Sequence, residues 1–198
     1  MKKVEKVVGT AIPLNRANVD TDQIIPSKYL KRIERTGYGQ FAFEAWRDDP
    51  NFVLNNAAYQ GASILIAQQN FGSGSSREHA VWAIEGLGVE ALIAPSFADI
   101  FKNNCMKVGV LTVELPQQDV DYLMARSEEL PEAQIEVDLE AQTVCTADGA
   151  WERRFEISPF TRWRLLQGFD DIGMTIEYEP DIAAFQAERS DLLPTTAG

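Results

Sequence analysis

Between residues 72 and 80 the chain runs Gly-Ser-Gly-Ser-Ser-Arg-Glu-His-Ala. Two glycines, three hydroxyls and an arginine stand there in six consecutive positions. The strand-like run Ala62 to Gln69 leads into them, and a helix-compatible run begins at Ala80. A loop that opens a helix collects unpaired backbone N–H groups and the positive end of the helix dipole, which together suit a carboxylate or phosphate. Arg77 can grip a carboxylate with its planar fork, and a serine hydroxyl near a helix start can cap in one state and react in another. Anion binding is the chemistry that these residue types share.

Plainer readings compete for the same residues. Ser75 and Glu78 have the Ser-x-x-Glu spacing of a helix capping box. That spacing leaves Gly72, Ser73, Gly74, Ser76 and Arg77 unexplained, and a cation such as Arg77 is disfavoured in a first helical turn. A dinucleotide fingerprint wants glycine where Arg77 stands, and a phosphate-binding P-loop wants Gly-Lys followed by Ser or Thr. No Gly-x-Ser-x-Gly elbow passes through the loop. His79 is the only histidine and lies on the same expected helix as Ser75, where a structural role suits it better than a triad role.

Two further groups invite chemistry. Asp20-Thr21-Asp22 offers a carboxylate pair, or a turn that satisfies its own backbone. Lys28, Lys31, Arg32 and Arg35 cluster beside Gly37-Tyr38-Gly39. They form either a lid that reaches an acidic ligand or a solvated loop face.

The elements that must position these residues are clearest in the middle. Ala62–Ala67, Ala91–Ala94 and Gly109–Val113 have the short apolar form of buried strands. Ser76–Gly86 and Ser96–Asn103 between them are expected helices. That alternation predicts βαβ units with parallel pairing, whose site loops sit at the carboxyl ends of strands. Val4–Pro13 is expected as a first strand, Asn18–Pro26 as a turn with an apolar exit, and Ser27 to Asn56 as loop with short helices. A helix follows Pro116. Ile135–Leu139, Thr143–Thr146 and Trp151–Ile157 are expected strands, the last two joined by the hairpin signal Ala147-Asp148-Gly149. Ser158-Pro159 opens a further helix that Gly168 ends. Ser190–Gly198 is expected to be a flexible tail. The fold class is α/β, with a β-rich flank and C-terminal helices.

The 198 residues carry a formal charge of −12, which argues against nucleic acid, since phosphate contacts need clustered Lys and Arg. Any anionic substrate must therefore be held by local arginines. No apolar run reaches the roughly 20 residues of a membrane span, and no signal core follows the N-terminus, so a cytoplasmic protein is expected. Cys105 and Cys145 are the only cysteines. An iron–sulfur cluster needs three or four, so no such cluster, and no metal, is expected on this chain.

The loop sequence resembles the Gly-x-Gly-Ser-Ser-Arg-Glu-His signature of the swivelling domain of the aconitase superfamily. Asn18-Val-Asp-Thr-Asp-Gln-Ile-Ile-Pro26, Asn70-Phe71 and Ala94-Pro-Ser-Phe-Ala-Asp-Ile-Phe101 narrow the likeness to the small subunits of bacterial 3-isopropylmalate dehydratases. The resemblance implies one aconitase-swivel-like domain over residues 1–189. It also implies a heterodimer with a large subunit that carries a 4Fe–4S cluster, acting on a small dicarboxylate in leucine biosynthesis. In that family the cluster is the Lewis acid for the departing hydroxyl, and the base is the first serine of Ser-Ser-Arg, here Ser75. A neutral serine is a poor base, so the fold must favour its alkoxide. Ser76 and Arg77 would hold substrate, Arg35 would be a second arginine, and Asp22 would orient these groups. The region Tyr29 to Arg32, with Lys31, matches the loop that discriminates the substrate's side group. Gly72, Gly74, Glu78 and His79 would shape the loop, and Ser73 replaces the family's usual cysteine. Related hydro-lyases acting on citraconate or homoaconitate, and a non-catalytic dicarboxylate-binding module, are the alternatives.

Overall fold

The computed structural model describes residues 1–176 and 178–188, so the expected tail at 190–198 lies outside the described residues. The strands are β1 (Lys6–Gly9), β2 (Ala11–Leu14), β3 (Ile64–Ala67), β4 (Ala91–Ala94), β5 (Leu111–Glu114), β6 (Ile135–Asp138), β7 (Thr143–Thr146) and β8 (Glu152–Arg154). The helices are α1 (Thr21–Ile24), α2 (Glu78–Gly86), α3 (Asp99–Val108), α4 (Gln117–Glu129), α5 (Pro159–Gln167), α6 (Asp171–Ile176) and α7 (Glu179–Ala187). The strands make two four-stranded sheets, a parallel one in the order β2-β3-β4-β5 and an antiparallel one in the order β1-β6-β7-β8.

The apolar runs of the parallel strands are continuous because both faces of that sheet are covered. On one face Ile12, Leu65, Ala67 and Leu92 pack with Ala80, Val81 and Ile84 of α2 and Cys105 of α3. On the other, Ile64, Ile66, Ile93 and Val113 pack with Val120 and Leu123 of α4. Val137 and Val144 of the antiparallel sheet join that second cluster, so one layer of side chains serves both sheets. Each fully buried Leu or Ile contributes about 1.5–3 kcal/mol.

Several expected boundaries move, each for a local reason. Val4–Pro13 is two strands in two sheets, parted at Thr10. At Gly9 an added Cβ would stand 2.1 Å from Ser63 Oγ, so the Ser63 side chain occupies the space that a side chain there would need. Pro13 lies on β2, an edge strand, where a missing N–H is tolerated. The expected turn at 18–26 contains α1, whose N-cap Asp20 forms a capping box with Gln23. Gln23 N–H donates to Asp20 Oδ1 at 2.8 Å, and Asp20 N–H donates to Gln23 Oε1 at 3.0 Å. Residues 27–59 hold short 3-10 turns and no strand. The hairpin of β7 and β8 turns at Gly149 (φ 69°), though β8 is shorter than Trp151–Ile157. Ser158 caps α5 by accepting from Thr161 N–H at 3.1 Å, and Gly168 (φ 71°) ends it.

Candidate functional site

The glycine–serine loop leaves the carboxyl end of β3 and turns on three left-handed residues, Asn70 (φ 58°), Gly72 (φ 77°) and Gly74 (φ 86°). Gly72 also lies against the ring of Phe101, where an added Cβ would come within 2.2 Å of Cγ. The loop is stitched to the segment that ends in α1. Gly72 N–H and Ser73 N–H both donate to the Val19 carbonyl, at 2.7 and 3.2 Å, and Thr21 N–H donates to the Ser73 carbonyl at 2.9 Å. Thr21 Oγ1 donates to the Ser75 carbonyl at 2.8 Å, and Thr21 is almost fully buried.

These bonds shape a cleft of about 250 Å³ lined by Thr21, Gly72, Gly74, Ser75, Ser76, Arg77 and the residues 98–101 that open α3. Ser75 and Ser76 are exposed to it. The N-termini of α2 and α3 both meet the cleft, and no side chain caps either one. Their first N–H groups therefore remain available to an anion.

The Ser75/Glu78 capping box does not form. The N-cap of α2 is Arg77, in extended backbone (φ −135°, ψ 107°), so Ser75 lies two residues too early to cap. As N-cap, Arg77 still stands at the positive end of the dipole, and the carboxylate of Asp22 offsets that cost. Its side chain is only 14% exposed and is ion-paired with Asp22, which excludes a freely solvated surface charge.

The structure thus brings Ser75, Ser76, Arg77 and Asp22 together, with Gly72 and Gly74 framing them. It places the basic segment elsewhere. Lys31 is exposed. Arg32 lies over Phe41 and Tyr38, 5.1 and 5.5 Å from the ring centres. Arg35 lies 5.9 Å from the Trp82 ring and lines a separate groove with Glu78, Trp82 and Glu85. Lys28 pairs with Glu44 at 2.7 Å, and Tyr29 Oη donates to the same carboxylate at 2.6 Å. These two hydrogen bonds hold Glu44 below the usual carboxylate range. His79 packs between Tyr38 and Trp82, at 5.5 and 4.7 Å, and burial lowers its pKa.

Thr21, Asp99, Ile100 and Phe101 line the cleft without having been marked as site residues. An expected helix start at Ser96 hid the last three. In the structure Phe97 bridges to Phe71, which keeps the chain extended and delays α3 to Asp99. The sequence signal for Thr21 is the Asp-Thr-Asp triplet, which suits a carboxylate pair or a self-satisfied turn and does not single out the hydroxyl between them.

The donor set of the cleft is hydroxyl, guanidinium and backbone N–H, which suits anions. Among the described residues no group of three or more His, Cys, Asp and Glu side chains is placed to hold a metal ion. Cys105 lies in the core, and Cys145 is on β7. The donors among the described residues do not fit a cluster.

Comparison with known proteins agrees with these features. Residues 1–118 match the model of the aconitase C-terminal domain, and residues 121–159 match a model described as LeuD_N. The chain is 57% identical over 194 residues to the 3-isopropylmalate dehydratase small subunit of Rubrobacter xylanophilus, covering 98% of each chain. It is 53% identical to the small subunit of a Parafrankia species, covering 96% of each, and 49% identical to that of Salinispora tropica, covering 100% of each. The crystal structure of a 3-isopropylmalate dehydratase from Methanocaldococcus jannaschii superposes with a TM-score of 0.63 at 25% identity. That superposition covers 93% of this chain and 99% of that one. A full-length match at such identity, on a chain that builds the serine–arginine cleft, places this protein in the family of 3-isopropylmalate dehydratase small subunits.

Proposed function

We propose that this chain supplies the proton-transfer half of a 3-isopropylmalate dehydratase, which interconverts 2-isopropylmalate and 3-isopropylmalate through 2-isopropylmaleate in leucine biosynthesis. The observation that carries this reading is the position of Ser75. It is an exposed hydroxyl between two uncapped helix N-termini, two residues from an arginine that an aspartate holds in place.

Dehydration needs a base at the carbon beside the one that bears the hydroxyl. In its alkoxide form Ser75 takes that proton and becomes the neutral hydroxyl. The C–H electron pair forms the double bond, and the substrate hydroxyl departs. Rehydration on the other carbon returns the proton from Ser75. The N–H groups of the loop, the two helix dipoles and Arg77 favour the alkoxide, and preorganised donors of this kind are the effective ones in a site closed from water. Ser76 and the Arg77 fork hold substrate carboxylates, and Asp22 keeps that fork aimed.

The departing hydroxyl needs an electrophile that these residues do not offer. We assign it to the large subunit, as the cluster that the family resemblance puts there, and we place the heterodimer in the cytoplasm. No helix among the described residues is long and apolar enough to cross a membrane.

The test is reconstitution with a cluster-bearing large subunit, following the alkene absorbance of the intermediate. The mixture should turn over and this chain alone should not. Turnover by this chain alone would refute the two-chain reading. Ser75→Ala in the complex should lose about a thousandfold in kcat, as for removal of a positioned base.

A further inference from the structure

We propose that Thr21 is a positioning residue for the reaction, holding the loop so that its free N–H groups serve the Ser75 oxygen and the substrate anion. The inference rests on the reading of Ser75 as base and names the part of the fold that makes such a base workable.

Thr21 makes two contacts with the loop from one buried position. Its backbone N–H takes the Ser73 carbonyl at 2.9 Å, and its Oγ1 takes the Ser75 carbonyl at 2.8 Å. A trans peptide is planar, with its carbonyl and N–H on opposite sides. When the Ser73 and Ser75 carbonyls are drawn toward Thr21, the N–H groups of Gly74 and Ser76 must point away from it. Neither N–H finds a backbone acceptor among the described residues. Thr21 thereby fixes two alternate peptide units of the loop in one sense, and leaves two donors on either side of Ser75 for a negative charge.

The flanking geometry makes the arrangement stiff. Thr21 is the first residue of α1, behind the capping box of Asp20 and Gln23. Asp22, the next residue, holds Arg77. Gly74 supplies the backbone conformation of the loop, φ +86°, which L side chains rarely adopt, while an added Cβ would make only ordinary contact with Asp20 Cβ at 3.4 Å and Thr21 Oγ1 at 3.8 Å. One short helix therefore sets both the carboxylate clamp and the donors beside the base. A hydroxyl at this position does what an apolar side chain of the same shape cannot. Without it the Ser75 carbonyl loses its partner, and the Ser75–Ser76 peptide is free to rotate.

The test uses the reconstituted two-subunit enzyme. Thr21→Val keeps the shape and removes the donor. It should lower kcat by about ten- to a hundredfold, the size expected for disordering one preorganised donor, with KM changed by less than about threefold. The acidic limb of the pH–kcat/KM profile should move to higher pH, because the alkoxide loses support. Thr21→Ser keeps the hydroxyl and should recover most of the rate. In a Ser75→Ala background Thr21→Val should add little, because a residue that acts through the base has nothing left to act on.

Thr21→Val at full rate, with Ser75→Ala disabled, overturns the positioning role and leaves the base assignment standing. Ser75→Ala at full rate overturns the base assignment itself. Should Thr21→Val fail to fold, Thr21→Ser decides the matter. A stable Thr21→Ser enzyme as slow as Ser75→Ala would show that the hydroxyl bond is not what Thr21 contributes.

Discussion

The loop at 72–77 and the segment at 27–39 are built from similar residues, yet the fold treats them oppositely. Both are glycine-bearing, polar and arginine-containing. The first is tied by backbone hydrogen bonds to Val19 and Thr21, and its arginine is nearly buried on Asp22. The second has no strand partner. Lys28 pairs with Glu44, Arg32 rests on aromatic rings and pairs with Glu34, Lys31 is exposed, and Arg35 lines a groove other than the Ser75 cleft. Backbone ties set atoms to within tenths of an ångström, whereas stacked, exposed cations keep the freedom to be drawn elsewhere at small cost. The proposed proton transfer needs a fixed atom, and the loop that carries Ser75 is anchored at the end of a sheet strand, whereas the cations of 27–39 have no such anchor.

Gly72 and Gly37 break this comparison most sharply, because both have φ of 77°. A side chain at Gly72 collides with Phe101, whereas one at Gly37 meets nothing closer than Gln40 Nε2 at 3.8 Å. Gly72→Ala should lose about 3 kcal/mol or more, adding overpacking to backbone strain. Gly37→Ala should lose about 1 kcal/mol, for the φ alone. Urea midpoints of the two variants measure the difference, and equal losses would erase the contrast between the regions.

Arg35 sharpens the comparison at the next level. If the segment is drawn in only to carry charge, Arg35→Ala should raise KM about tenfold, with kcat within about threefold and the melting temperature unchanged. Steady-state kinetics on the reconstituted enzyme separate this from a loss of kcat, which would make Arg35 part of the fixed half.

His79 gives the smallest effect, at the contact between the two regions. Burial depresses its pKa below the ordinary 6.5, outweighing an upward pull from Glu78, and Arg77 adds the smallest push downward. The folded chain therefore prefers neutral imidazole. The stability this contributes is complete above pH 6.5 and is lost as pH falls from there toward the folded value. His79→Gln should flatten that part of the stability–pH curve while leaving the Ser75 cleft active. Urea midpoints at pH 8 and pH 5 read it, and an unchanged slope would place the imidazole in water.

Much of the architecture was legible in the residues themselves. Ala91–Ala94 and Thr143–Thr146 became strands as expected, and Ser158-Pro159 and Gly168 bound α5, because short apolar runs, caps and left-handed glycines act over a few residues. Boundaries set by distant partners were not legible. The run 4–13 divides between two sheets because its halves pair with Asp138 and Ile64, far along the chain. Helix α3 starts late because Phe97 bridges to Phe71.

The site divides along the same line. The sequence alone determined that a glycine–serine–arginine loop follows a buried strand and opens a helix, and that two cysteines are too few for a cluster. Both statements follow from residue identity and near spacing. Only the tertiary structure decided that Ser75 is not a cap, that Asp22 holds Arg77, and that Thr21 and the first turn of α3 face the same cleft. Those contacts cross more than 20 residues of chain, and they are chosen by which backbone groups the packed sheet leaves without partners.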